Sequence, residues 1–354
     1  MHLLFVCMIG LCVFIVCVQT VGVLVYFTTA LAQHAFLRDN LQVARAYGSV
    51  TDESSCWAVV TGGSSGQGKE FALQLAERGF DIFLIGSVRS HQVADEVRSM
   101  GRRCEVAVKD FGQAFRDGFF DDVTLRLKKL DIAVLINSVG HRTAWNPYHE
   151  CPVDTIRETI ACGTMVQAHL TRILLPHLID RTRRGDSVRS AVVFITAQCM
   201  HPNVGIAATG LCDNAISIPY LAAYEASNAF GFYHASSLIK EYAHIDRLDM
   251  LNVTPGAVIT PNTSDALSNA PFQIDSDKFV RNVIRMLGGK VKNGTVCAHV
   301  GHSLSMLCLG VFPWIKQGIL KRVGLSIAKK YMENHVCNDE SVKYALTPLM
   351  TRSA

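Results

Sequence analysis

The chain has 354 residues, 49% of them hydrophobic, and a formal net charge of only +4. So slight and scattered a basic excess argues against nucleic acid as a partner. Twelve cysteines with no C-x-x-C pair and no His/Cys ligand spacing argue against a metal site and against a disulfide framework. No repeat, low-complexity tract or Pro/Gly/Ser-rich linker divides the chain, so one large α/β domain with terminal additions is expected.

In chain order, the first element is apolar. Leu3 to Phe27 carries no charged residue and is long enough to span a bilayer as a helix. A cleaved signal peptide, suggested by Ala30-Leu31-Ala32, fits less well, because the run exceeds a signal core and no Lys or Arg precedes it. The reading is a transmembrane anchor over 1–30 and a linker over 31–55, with His34, Arg38 and Arg45 placing the main domain on the cytosolic side. Sequons at Asn252, Asn262 and Asn293 would matter only in a lumenal domain, and Asn252 opens an expected buried strand.

Trp57–Thr61 is a short apolar run of the kind buried in a parallel sheet. Gly62, Gly63, Gly66 and Gly68 follow, then a helix over Lys69–Arg78, then a second buried strand over Ile82–Ile85. Strand, glycine turn, helix and strand form a βαβ unit whose first turn suits a dinucleotide: glycines let backbone N–H groups approach a pyrophosphate, and the helix N-terminus adds partial positive charge.

Further on, the pattern predicts a helix over Val93–Met100, a strand over Arg103–Val108, a helix over Ala114–Lys129 and a strand over Asp131–Asn137. A long helix over Asp154–Asp180, a strand over Ser190–Thr196, a helix over Ala222–Ala243 and a strand over Met250–Thr254 come next. This alternation is that of a Rossmann-like, doubly wound parallel sheet over 56–300. Gly62, Asn137, Thr196 and Pro255 then share the carboxyl ends of strands, where ligands of such sheets bind. Residues 301–354 read as a helical or membrane-associated extension: Met306–Phe312 is apolar, and Lys316, Lys321, Arg322, Lys329 and Lys330 suit an anionic surface.

Thr61-Gly62-x-x-x-Gly66-x-Gly68, Asn137-Ser138-Val139-Gly140, Tyr224-x-x-x-Asn228 and Pro255-Gly256-Ala257-Val258-Ile259-Thr260 together resemble the short-chain dehydrogenase/reductase superfamily. The subgroup most similar is the membrane-anchored very-long-chain 3-oxoacyl-CoA reductases and 17β-hydroxysteroid dehydrogenases, an endoplasmic-reticulum group. The resemblance implies that Gly62, Ser64, Gly66 and Gly68 line the pyrophosphate and ribose, and that Asp110 meets the adenine. It implies that Asn137 and Gly140 flank the adenosine ribose, and that Thr260, after the Pro255-Gly256 turn, holds the nicotinamide carboxamide. It also implies a homodimer built on the helix starting near Tyr224. No acid ends the second strand, Ile85-Gly86-Ser87, and Arg89 stands two residues on, which points to NADP(H) over NAD(H).

The catalytic set implied by the resemblance is only partly kept. Tyr224 fills the tyrosine position, whereas Asn228 stands for the lysine, Ala197 for the serine and Gly163 for the asparagine. Thr196, beside Ala197, is the expected substitute for the serine; His201, Thr209 and Ser217 lie on the long loop that follows. Two functions stay open: a membrane-bound reductase of a ketone on a lipid-like substrate, with Tyr224 as proton donor, or an NADP-binding pseudoenzyme acting as a scaffold or redox sensor.

Overall fold

The computed structural model describes residues 46–48, 56–140, 148–184, 188–197, 220–261, 263, 272–288 and 294–303, with isolated positions toward either end. The anchor over 1–30, most of the linker, and nearly all of the extension after 303 lie outside the described residues. Among the described residues, no helix is long and apolar enough to cross a membrane.

Nine strands and seven α-helices are described in these stretches. β1 (Trp57–Thr61), β2 (Asp81–Gly86), β3 (Cys104–Val108), β4 (Ile132–Asn137), β5 (Ser190–Ile195), β6 (Leu248–Val253) and β9 (Gly294–Val296) form one sheet in the order β3-β2-β1-β4-β5-β6-β9. Every neighbouring pair is parallel. Two short strands, β7 (Val258–Ile259) and β8 (Ile274–Asp275), pair separately. Because β1 is flanked by β2 on one side and β4 on the other, successive crossovers run in opposite directions from it and leave a crevice at its carboxyl end.

The helices are α1 (Gly66–Ala76), α2 (Ser90–Ser99), α3 (Asp121–Leu127), α4 (Val153–Ile160), α5 (Val166–Thr182), α6 (Ala222–Glu241) and α7 (Ser276–Met286). Alternation within β1 makes the two cores. Ala58 and Val60 pack with Phe71, Leu75, Phe279 and Val283 on the face of α1 and α7. Trp57 and Val59 pack with Leu170, Leu174, Leu178 and Ile239 on the face of α5 and α6.

Two predicted helices differ. The one expected over Ala114–Lys129 is helical only at Asp121–Leu127, because Gly118 sits at φ +71° and interrupts the run. The long helix over Asp154–Asp180 is present, extended by a residue or two at each end, but winds as a π-helix over Ala161–Met165 between α4 and α5. Gly163 lies in that segment, and a Cβ there would fall 2.5 Å from the Ser227 Oγ of α6.

On the side opposite the crevice, residues 46–48 are tied to the floor of the sheet. The buried Tyr47 hydroxyl donates to Asp249 Oδ2 at 2.6 Å and accepts the Gly288 N–H at 3.0 Å; Arg189 grips the same carboxylate with Nη2 at 2.5 Å and Nε at 3.1 Å. Burial, then the adjacent Asp249, holds the Tyr47 phenol well above its ordinary pKa, so it remains a donor.

Candidate active site

At the end of β1 the Thr61 hydroxyl donates to Ile136 O (3.3 Å) and accepts the N–H groups of Ser138 (3.0 Å) and Val139 (3.2 Å). One side chain thus clasps the ends of β1 and β4. The glycine loop packs against this clasp. Gly62 has φ +69°, and a Cβ on it would lie 2.9 Å from Val139 Cα; a Cβ on Gly68 would lie 2.3 Å from the Gly62 carbonyl oxygen. Glycine is required at both places by space. Gly66, at φ +54°, opens α1 and faces Thr260, whose Cβ would be 3.2 Å from an added Cβ. Ser64 is half-buried in the same turn. The loop therefore touches the Pro255–Thr260 segment, two stretches nearly two hundred residues apart in sequence.

The other expected cofactor residues surround this cradle. Asn137 is buried, its Nδ2 donates to Thr171 Oγ1 at 3.1 Å, and its Oδ1 has no hydrogen-bond partner among the described residues. Gly140 is exposed, with open space where a Cβ would be. Asp110 is exposed and accepts the Gly112 N–H at 3.1 Å, capping a short 3-10 turn. Arg89 and Ser87 are exposed at the N-terminal end of α2. The acid of β2, Asp81, lies at its other end, held by Arg103 at 2.5 Å and Arg102 at 3.4 Å. Thr260 is fixed by Thr263, whose hydroxyl accepts its N–H at 3.0 Å and sits 2.9 Å from its Oγ1. The Gly256 N–H donates to His302 Nδ1 at 3.1 Å. Glycines that admit no side chain at the opening of α1 fit a nucleotide diphosphate, and the orphaned Asn137 acceptor beside them suits a donor such as a ribose hydroxyl.

Of the expected catalytic residues, Tyr224 and Asn228 stand one turn apart on α6, and the Asn228 amide and the Thr196 hydroxyl are engaged within the fold. Tyr224 is half-buried in the first turn of α6. Its carbonyl accepts from Asn228 Nδ2 at 3.0 Å and from Ser227 Oγ at 2.8 Å. The Thr196 hydroxyl donates to Asn252 Oδ1 at 2.8 Å and lies 3.3 Å from Val253 O, at the seam of β5 and β6. Ala197 follows it without a hydroxyl. His201, Thr209 and Ser217 lie outside the described residues.

Three residues not singled out as site components hold this geometry: Thr171, which orients Asn137; Asn252, which accepts from Thr196; and His302. Asn252 stood out only as a sequon, and it is fully buried, with its amide 3.4 Å from both Phe232 O and Thr295 Oγ1. The five described cysteines, Cys56, Cys104, Cys151, Cys162 and Cys297, are free thiols; burial pushes Cys104 and Cys162 up to about 12. Among the described residues no group of His, Cys, Asp and Glu could hold a metal.

The sheet order and the glycine cradle at its switch point define a Rossmann-type α/β protein. Residues 56–207 match the short chain dehydrogenase family. A very-long-chain 3-oxoacyl-CoA reductase of Anas platyrhynchos is 32% identical over 193 residues, 52% of this chain and 54% of the relative. The matched part thus spans about half the length of that relative. A 17-beta-hydroxysteroid dehydrogenase type 3 of Rattus norvegicus is 27% identical over 271 residues, 75% of this chain and 79% of the relative. In structure, a short-chain dehydrogenase from Sphingobium yanoikuyae in complex with NADPH superposes with a TM-score of 0.55 at 21% identity, covering 75% of this chain and 95% of that one. Over residues 56–207, less than half of its length, the chain is thus similar to the short-chain dehydrogenases.

Proposed function

We propose that this protein is a membrane-bound oxidoreductase that reduces a ketone on a lipid-like substrate, a 3-oxoacyl-CoA or a steroid, with NADPH. The observation that carries the reading is the side-chain-free cradle of Gly62, Gly66 and Gly68, packed against both the β4 end and Thr260. The relatives named as 3-oxoacyl-CoA reductase and 17-beta-hydroxysteroid dehydrogenase support the substrate class. Gly62, Ser64, Gly66 and Gly68 would hold the pyrophosphate, Asp110, Asn137 and Gly140 the adenosine, Arg89 the 2′-phosphate, and Thr260 with Pro255 and Gly256 the nicotinamide. When bound, NADPH supplies the hydride.

Tyr224 holds the proton that a newly formed alkoxide takes up. A phenol with no cation beside it keeps its proton at neutral pH and can donate it, so reduction suffers less than oxidation from the loss of a lysine at Asn228. Full-length protein with NADPH and panels of 3-oxoacyl-CoA and ketosteroid tests the reading: turnover is expected, and Tyr224→Phe lowers it by about 10²–10⁴-fold. Turnover that survives Tyr224→Phe refutes the mechanism.

A second reading, a cofactor-binding pseudoenzyme serving as a membrane scaffold or redox sensor, is favoured by one observation. The Thr196 hydroxyl and the Asn228 amide, the nearest stand-ins for the missing groups, are both committed to bonds within the fold. Tight NADPH binding with no oxidation of it across both panels supports this reading.

A further inference from the structure

The Pro255-Gly256 turn leaves β6, and a ring buried beneath it holds it in place. His302 sits on the helical turn at 300–303 that follows β9 and is 1% exposed. Its Nδ1 accepts the Gly256 N–H at 3.1 Å, and its ring also meets the backbone of Ala257 and Phe272. Phe272, at φ +57°, is the residue that turns the chain into β8, and the next tie is the Ile274 N–H donated to Ala257 O at 3.0 Å. One imidazole therefore joins the exit of β6, the entry of β8 and the turn after β9. Burial, then the neighbouring His299, pushes its pKa down to about 4, so the ring is neutral near pH 7 and the Nδ1 lone pair is available. With Nδ1 accepting, the ring proton is on Nε2.

We infer that His302 is a positioning residue for the nicotinamide end of the site, fixing Gly256 and the Val258–Thr260 stretch against Gly66 of the glycine loop. The inference rests on the proposed reading that Pro255–Thr260 meets the nicotinamide. The adenosine end is built from the ends of β1, β2 and β4, whereas the His302 ring meets Gly256, Ala257 and Phe272. Loss of the latch is therefore felt at one half of the cofactor and not the other.

The test compares dissociation constants of NADPH and of 2′,5′-ADP, which has only the adenosine half, on the full-length chain and its variants. His302→Leu is expected to weaken NADPH about tenfold while leaving 2′,5′-ADP within about twofold, the loss of one buried hydrogen bond at one end. His302→Asn, whose side-chain oxygen can accept where Nδ1 does, restores NADPH binding to within about threefold of wild type. Equal weakening of both ligands, no weakening of either, or Asn no better than Leu overturns the inference. Should the Leu variant not fold, His302→Gln takes its place: its amide reaches the Nε2 position, so it is expected to bind NADPH more weakly than His302→Asn, and equal binding overturns the inference. A wild-type chain that binds neither ligand overturns the cofactor reading itself.

Discussion

Thr196 and Asn252 share a 2.8 Å hydrogen bond at a seam where both side chains are shut from solvent. Removing the donor leaves the Asn252 carboxamide oxygen without it, at about 1–3 kcal/mol. Thr196→Val is expected to lower the thermal midpoint accordingly, and its turnover separates the two roles of this hydroxyl. A loss of the size expected for Tyr224→Phe assigns Thr196 to the chemistry; activity within about tenfold of wild type leaves it the strand-joining role. Asn228→Lys is the complementary gain: a cation one helical turn from Tyr224 would lower the phenol's pKa, each unit being worth about 1.4 kcal/mol, and turnover is expected to rise. That Ala197, Asn228 and Gly163 stand where the resembled family has serine, lysine and asparagine was legible in the sequence once the resemblance was drawn. That Thr196 spends its hydroxyl on Asn252 was not, because residues 56 positions apart meet only in the folded chain.

At the scale of elements, the glycine loop and the π-helical segment both exclude side chains, and both do so for want of space. Gly68→Ala would put a methyl 2.3 Å from the Gly62 carbonyl oxygen, so the loop must open. The expected outcome is loss of NADPH binding, read by fluorescence titration, together with a lower thermal midpoint. Gly163→Asn, which restores the family's asparagine in name, is expected to destabilise without rescuing turnover, since its Cβ would meet Ser227 Oγ at 2.5 Å and Ser227 Cβ at 2.6 Å. Combining it with Ser227→Gly relieves the clash, and recovery of the thermal midpoint in the double variant checks the explanation. The helix α7 was not among the predicted elements, although Phe279, Val280, Val283 and Ile284 recur at helical spacing and all four are buried. The short β7 and β8 carry no such signal, for two residues cannot establish a period.

For the whole molecule, one buried and three half-buried imidazoles make stability depend on acid. His169, His234, His299 and His302 are all held below the ordinary value of ~6.5, with burial the largest cause in each. A depressed pKa means that the unfolded chain binds these protons first, so stability is fully present above about pH 6.5 and is lost as pH falls, for His302 down to about 4. Thermal midpoints measured from pH 7.5 to 4.5 are expected to fall, and His302→Asn to reduce the slope. The tie between residues 46–48 and the sheet adds no loss through Tyr47 over this range, because its raised phenol stays protonated throughout.

The sequence by itself determined the parallel α/β body, because apolar runs with β-branched residues, glycine turns and helical periods are local signals that nearest neighbours already encode. It also determined which chemical groups stand at the proposed catalytic positions, since that is a matter of side-chain identity. Only the tertiary structure decided how those groups are engaged: the pairing of Thr196 with Asn252, the fit of Gly163 to Ser227, and the seat of His302 beneath Gly256. Each joins segments from separate strands and helices, and hydrogen-bond direction and steric exclusion act over a few ångströms of space, with no regard for separation along the chain.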